Sequence, residues 1–434
     1  MYNIFKLNNG LRVVVENIKY VNSVSIGLWV ENGSRNENAI NNGISHFIEH
    51  MFFKGTDNRS AKEIAEEIED VGGQINAFTG KEATCFYIKA LDSHLELSLD
   101  MLSDMLFNSK FSTEDIEKEK GVIIEEINMS EDSPEDVLVD LHSRAIWGED
   151  SISLPILGTI DTVKSFTREQ LLNYVQSHYI PENSVVSISG NFDINTIEGL
   201  VEKYFGNWEC RNINKVITKY TSPCIQKNHL YKRKSIEQLH LSLGMTGLEI
   251  GNENMYSLLV LNNIFGGGAS SILFQKIREE YGFCYTIYSY ISAFMNTGVI
   301  NIYTGLNSSY APEVINLITE ELNKFVKMEI TERKLSKAKE QLKGNYILGL
   351  ESTSSRMFTN GKSVLFLNRI NTPEEIIKKI NAIDNENLNL VMEKTFAQGI
   401  KNSAYVGDNL DMDPLVSMLE GDIIAFKNQK SKRV

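Results

Sequence analysis

The hydrophobic and polar positions of this chain fall into short strand-like runs broken by glycine turns and longer stretches of helical periodicity. The opening "MYNIFKLNNGLRVVVENIKY" reads as a strand, a turn at Asn8-Asn9-Gly10 and a second strand at Leu11–Val15. Further on, Gly72-Gly73 leads into "QINAFTGKEATCFYIKAL", two strand-like runs about a turn at Gly80, and the helical pattern "DSHLELSLDMLSDML" follows. The same plan returns later. Gly282 leads into "FCYTIYSYISAF", then "GVINIYTGL", then the helical "APEVINLITEELNKFV". Two helix-like segments opening on Thr-Glu, "TEDIEKEKGVIIEEI" from Thr113 and "TERKLSKAKEQLKGNYI" from Thr331, follow in the two halves. An offset of roughly 220 residues is that of a duplicated domain, too large for a solenoid unit.

Strands and helices mix without regular βαβ alternation, and short turns between strands favour antiparallel pairing, so two similar α+β domains are predicted, each a largely antiparallel sheet flanked by helices. The polar segment "NWECRNINKVITKYTSPCIQKN", with Pro223, marks the join. This gives an N-terminal domain over 1–210, a linker over 211–228, a C-terminal domain over 229–426 and a basic tail over 427–434.

Length agrees with this: 434 residues exceed one ordinary domain. A hydrophobic fraction of 42% and a charged fraction of 23% describe a globular chain with a sizeable core. The net charge of −14 argues against a nucleic-acid partner, which needs clustered Lys and Arg. No apolar run reaches the length of a membrane span, and no signal-peptide order is expected at the N-terminus. Cys85, Cys210, Cys224 and Cys284 form no C-x-x-C pair, which suits reduced thiols, so a cytoplasmic location is expected.

The candidate chemistry starts at "NNGISHFIEHMFFKGT", residues 41–56. On a helix over 44–54, Ile44, Phe47, Ile48 and Met51 share one side, while His46, Glu49 and His50 gather on the other. Two imidazoles at i and i+4 can share one metal ion, and Glu49 flanks them, placed to hold a water. The plainer reading is a solvated helix face. Two histidines also leave a tetrahedral zinc short of a third protein ligand.

The helix of "STEDIEKEKGVIIEEI", with Ser112 or Thr113 as N-cap, offers candidates. Ile116, Val122, Ile123 and Ile127 define its inward face, and Glu114, Lys118 and Glu125 point outward. Glu119 and Glu126, two turns apart, project among the apolar positions, a costly placement unless something positive lies beside them. A divalent cation would supply that charge; so would a buried Lys or Arg.

With these residues assembled, the chain resembles the pitrilysin or insulinase family of zinc metallopeptidases. "HFIEH" is the inverted zinc motif of inverzincins. "EKEKGVIIEE", "HMFFKGT", "VGGQINAFTGKE", "SEDSPED", "GGGASS" and "REEYGFCY" point to the branch containing mitochondrial processing peptidases and their bacterial relatives. The resemblance implies two similar α+β domains facing each other around an enclosed chamber, with one Zn2+ per chain held by His46, His50 and Glu126, the last standing 76 positions after His50. It implies Glu49 as general base, Glu119 as a residue behind a ligand, and Arg278 and Tyr285 contributed by the metal-free second domain. Asn76 and Ala77 lie on the strand that would pair with an extended peptide substrate. Peptides or unfolded polypeptides are the substrates implied, and relatives work as homodimers, heterodimers or fused chains. Ile272 and Cys284 depart from the family pattern.

Three readings stay open: a zinc endopeptidase, a catalytically silent peptide-binding or partner subunit, and a structural zinc domain. The third is the weakest, because a closed structural site uses a fourth protein ligand. His94, His142 and His178 have no metal-ligand spacing and are read as ordinary, and "GGGASS" lacks the Gly-Lys-Ser/Thr ending of a phosphate loop.

Overall fold

The computed structural model describes residues 2–209, 215–408 and 410–420. Cys210, the first four residues of the expected linker and the basic tail over 427–434 lie outside the described residues. The rest divides into two compact units. The described residues of the first fall within Met1–Met129, Leu154–Lys219 and Ile347–Ile370, and those of the second within Ser130–Ser153, Tyr220–Tyr346 and Asn371–Val434.

In the first unit, the β-rich runs form β1 (Tyr2–Lys6), β2 (Arg12–Asn17), β3 (Ser23–Val30), β4 (Gln74–Thr79), β5 (Thr84–Leu91) and β6 (Ser184–Gly190). They make one sheet in the order β1-β2-β6-β3-β5-β4, antiparallel throughout except for the parallel pair β2/β6. β4 is the last strand, paired among the described residues only with β5. One sheet face packs with the helices Ile44–Phe52 and Leu95–Asn108 in a core that includes Val13, Ile26, Phe47, Ile48, Phe86 and Leu99.

The second unit repeats the arrangement. β7 (His229–Arg233), β8 (Leu239–Thr246), β9 (Cys284–Phe294), β10 (Thr297–Leu306) and β11 (Ile400–Gly407) form a sheet in the order β7-β11-β8-β10-β9. Only β7/β11 is parallel.

The chain passes between the units at Lys219/Tyr220 and at four other points, so neither unit is one continuous stretch. Each sheet has a second apolar face that its own helices leave uncovered, and a helix from elsewhere in the chain covers it. In the first unit this is Thr353–Leu367, which buries Val364 and Leu365 with Val14, Trp29, Cys85 and Val185. Polar contacts fix it. The Arg12 guanidinium donates to the carbonyls of Val364 and Leu365, both at 3.0 Å, closing the helix C-terminus. Arg356 pairs with Glu16, and Asn360 donates to Glu16 at 2.8 Å.

In the second unit the covering helix is Pro134–Trp147, from which Val137 and Leu138 pack on Tyr303, Ala404 and Val406. His142 is buried there between Asn402 (Nε2 to Oδ1, 3.1 Å) and Ser242 (Oγ to Nδ1, 2.8 Å). One ring nitrogen donates and the other accepts, the pattern of a neutral imidazole, and burial lowers its pKa to about 4.

Candidate metal centre

The motif helix is placed by a residue the sequence pattern did not single out. Glu37 is buried, and its carboxylate accepts from the backbone N–H groups of Gly43 (2.7 Å) and Ser45 (2.9 Å) and from the Asn42 amide (2.9 Å). A carboxylate at a helix N-terminus satisfies otherwise orphaned donors and meets the positive end of the helix dipole. Gly43, at φ +91, makes the turn into the helix, and a Cβ there would meet the Leu157 carbonyl oxygen at 2.7 Å. Ser45 is held in turn by the Asn32 amide at 3.0 Å.

The helix runs Ile44–Phe52, shorter than the predicted 44–54. Ile44, Phe47, Ile48 and Met51 are buried in the core, as the wheel requires. Because it stops before Lys54, that side chain is free to turn back toward the second helix, Thr113–Asp132, whose N-cap Ser112 accepts from the Asp115 N–H at 3.1 Å. On this helix Ile116, Ile123 and Ile127 are buried with Glu119. Val122 departs from its predicted inward place and is 51% exposed, since one position from Ile123 on a helix turns it off the apolar stripe.

The two helices bring His46, His50 and Glu126 together, the one group of potential metal ligands among the described residues. His46 Nε2 lies 3.7 Å and His50 Nε2 3.5 Å from Glu126 Oε2. These separations are too long for good hydrogen bonds. They are close to the edge of a tetrahedron, about 3.3 Å, that ligands about 2.0 Å from zinc define. The buried Nδ1 of His46 has no hydrogen-bond partner among the described residues. Two imidazoles and a carboxylate with a coordination position left over suit zinc.

Glu119 lies behind this cluster, its side chain 3% exposed. One oxygen meets His50 Nδ1 at 2.7 Å and the other the Lys54 ammonium at 2.6 Å. The buried carboxylate therefore has both a lysine and a histidine partner. Its hold on Nδ1 leaves Nε2 facing Glu126.

The electrostatics follow. Burial and the neighbouring His50 push His46 down to about 4. Burial also opposes charge on His50, but Glu119 and Glu126 outweigh it and raise it to about 9. The interaction with His50 lowers Glu126, against its partial burial. Glu49 stands one position before His50 on the motif helix and outside the cluster. Burial raises its pKa, opposed by a hydrogen bond from the Thr79 hydroxyl.

The remaining predicted residues occupy two other places. Asn76 and Ala77 lie on β4, where Asn76 is exposed and its side-chain oxygen accepts from the Ala77 N–H at 2.8 Å. Arg278 and Tyr285 meet in the second unit. Arg278 sits on the π-helical turn Phe274–Glu280, its guanidinium 4.5 Å from the Phe274 ring centre and 4.9 Å from that of Tyr285. The β9/β10 register skips from Cys284 to Thr286, so Tyr285 bulges from the ladder and is 77% exposed. Cys284 beside it is buried, and Ile272 packs against the second unit's core. In "GGGASS", Gly266 lies against β9, where a Cβ would meet Ser289 Oγ at 2.3 Å, a packing role.

Two imidazoles one helical turn apart, facing a carboxylate from a second helix, define the inverted zinc motif of a class of metallopeptidases. Comparison with known proteins then gives the family. Residues 12–160 match the insulinase family, peptidase family M16, and residues 165–342 match the peptidase M16 inactive domain. The chain is 44% identical over 394 residues to the uncharacterized zinc protease YmxG of Bacillus subtilis, covering 91% of this chain and 95% of that protein. It is 37% identical over 413 residues to an uncharacterized zinc protease of Rickettsia felis, covering 94% and 98%. A protease from Helicobacter pylori shares the fold at a TM-score of 0.87, with 22% identity over 94% of this chain and 99% of that one. The chain belongs to the insulinase family, peptidase family M16. No helix among the described residues is long and apolar enough to cross a membrane.

Proposed function

We propose that this chain is a zinc-dependent endopeptidase acting on peptides or unfolded polypeptide segments. The observation that carries the reading is the spacing of His46 Nε2, His50 Nε2 and Glu126 Oε2, with a further carboxylate, Glu49, one position before His50 on the same helix. His46, His50 and Glu126 would hold one zinc ion per chain, and Glu119 would fix the His50 ring through Nδ1. Zinc bound there would supply Lewis acidity, polarising a peptide carbonyl and easing deprotonation of a water.

Glu49 takes the proton of the attacking water and returns it to the departing amine. Its burial suits this exchange, because a carboxylate with a raised pKa is a better base toward the water and, once protonated, is still a stronger acid than the ammonium formed on the departing amine. Among the described residues β4 has one unpaired edge, which would take an extended substrate and fits peptides and unfolded segments better than folded proteins. The Ala77 N–H would exchange its contact with the Asn76 side chain for one with the substrate backbone. The half-buried Arg278 and the exposed Tyr285 of the second unit are assigned to substrate contact.

The test is incubation with a set of unstructured peptides, with and without chelator and with zinc added back, products being read by mass spectrometry. Cleavage should vanish with chelator and return with zinc, and Glu49→Gln should keep zinc while losing about 10²- to 10⁴-fold in kcat. Absence of metal-dependent cleavage would leave the silent-partner reading in its place. A fully active Glu49→Gln would remove Glu49 from its role.

A further inference from the structure

Among the described residues, Thr79 is the hydrogen-bond partner of the Glu49 carboxylate, its hydroxyl meeting Oε2. Thr79 is the last residue of β4. A threonine in a strand is ordinary, and its methyl group and β-branching suffice to explain many of them. Here the hydroxyl has a defined direction. The neighbouring Thr84 hydroxyl is 3.5 Å away, but its single proton goes to the Asn32 carbonyl at 2.9 Å. Thr79 therefore receives no strong donor from that side, and its own proton points to Glu49.

The Thr79 backbone is fixed from both directions. It pairs with Thr84 at the end of the β4/β5 ladder, and the turn that follows closes by Gly80 N–H to the Ala83 carbonyl at 2.8 Å. That turn is clamped to the segment before the motif helix. Ser34 N–H donates to the Gly80 carbonyl (3.2 Å), Arg35 N–H to the Lys81 carbonyl (2.7 Å), and the Arg35 side chain pairs with buried Glu82. Asn32 completes a loop, because its amide reaches Ser45, one turn ahead of Glu49 on the same helix. A hydroxyl on a rigid turn thus holds one oxygen of a carboxylate on a rigid helix.

We propose that Thr79 is a positioning residue for the base: by holding Oε2 it fixes the Glu49 rotamer, leaves Oε1 for the water, and couples the base to the strand that receives substrate. The proposal rests on the reading of Glu49 as general base.

The test uses the full-length, zinc-loaded protein and an unstructured fluorogenic peptide that the parent cleaves. It compares Thr79→Val, which keeps the shape, and Thr79→Ser, which keeps the hydroxyl, with Glu49→Gln and the double variant Thr79→Val/Glu49→Gln. Thr79→Val should lower kcat by about ten- to a hundredfold, the scale of one hydrogen bond to a charged group. KM and zinc affinity, measured by chelator competition, should stay within about twofold, and Thr79→Ser should recover most of the loss. In the Glu49→Gln background the valine change should cost little more, since the two residues act as a unit.

Wild-type kcat in Thr79→Val with Glu49→Gln inactive would overturn the positioning role and leave the base reading intact. A serine variant as slow as the valine one, or a loss confined to KM or zinc affinity, would assign Thr79 to strand packing or substrate contact and overturn the proposal too. An active Glu49→Gln, or a parent that cleaves no peptide, would remove the base reading and this inference with it.

Discussion

At the residue scale the proposed metal site sets a cation in competition with a proton. Without metal, His50 sits between two carboxylates that hold its proton up to about 9, while His46, buried and beside that charge, stays neutral down to about 4. Zinc held at His50 Nε2, as proposed, would have to displace the proton, because Nδ1 is already engaged by Glu119. His50 is protonated below about 9 and neutral above it, so raising the pH removes the competitor. Apparent zinc affinity should rise by about tenfold per pH unit through neutrality and level off near pH 9, as one-proton linkage requires. Chelator competition across that range checks it, and a pH-independent affinity would show that His50 is neutral before metal arrives. Glu126→Gln should weaken zinc binding by more than about tenfold in the same assay, with the fold unchanged.

At the scale of elements, the two covering helices tie distant parts of the sequence to each sheet. Thr353–Leu367 approaches so closely that a Cβ on Gly361 would lie 2.1 Å from Trp29 Nε1. The indole cannot give way easily, since Trp29 is buried and packs edge-on against Phe78 at 5.6 Å and Phe358 at 6.1 Å. Gly361→Ala should therefore destabilise the first unit by about 2 kcal/mol or more and lower its melting temperature by several degrees, seen by calorimetry. An unchanged melting temperature would mean that the helix shifts outward at little cost.

The helical periods around His46 and Glu119 were legible in the sequence because each helix has one apolar stripe, against which a misplaced polar residue stands out. The docking of Thr353–Leu367 and Pro134–Trp147 was not legible. Their apolar positions announce that they bury a face but carry no information about which sheet receives it, so contiguous domains were the natural reading.

At the scale of the whole molecule this exchange has a consequence for folding. A fragment ending at Lys219 retains Pro134–Trp147 without the sheet it covers, and lacks the helix that covers Val14, Trp29 and Val185. Fragments 1–219 and 220–434 should each aggregate or bind a hydrophobic dye when made alone, and give soluble, cooperatively melting protein when made together. A first fragment that melts cooperatively by itself would show that the covering helix is dispensable.

The sequence by itself determined the repeated α+β plan, the motif helix with its two imidazoles, and the distinction between Glu126 and its outward neighbour Glu125. These are local, periodic properties, fixed by the geometry of one helix or strand. Only the tertiary structure decided that Glu37 anchors the motif helix, that Lys54 shares Glu119 with His50, and that Thr79 reaches Glu49. Each of these contacts joins residues brought close by packing rather than by period. A polar side chain that finds its partner across a fold leaves no rhythm in the chain.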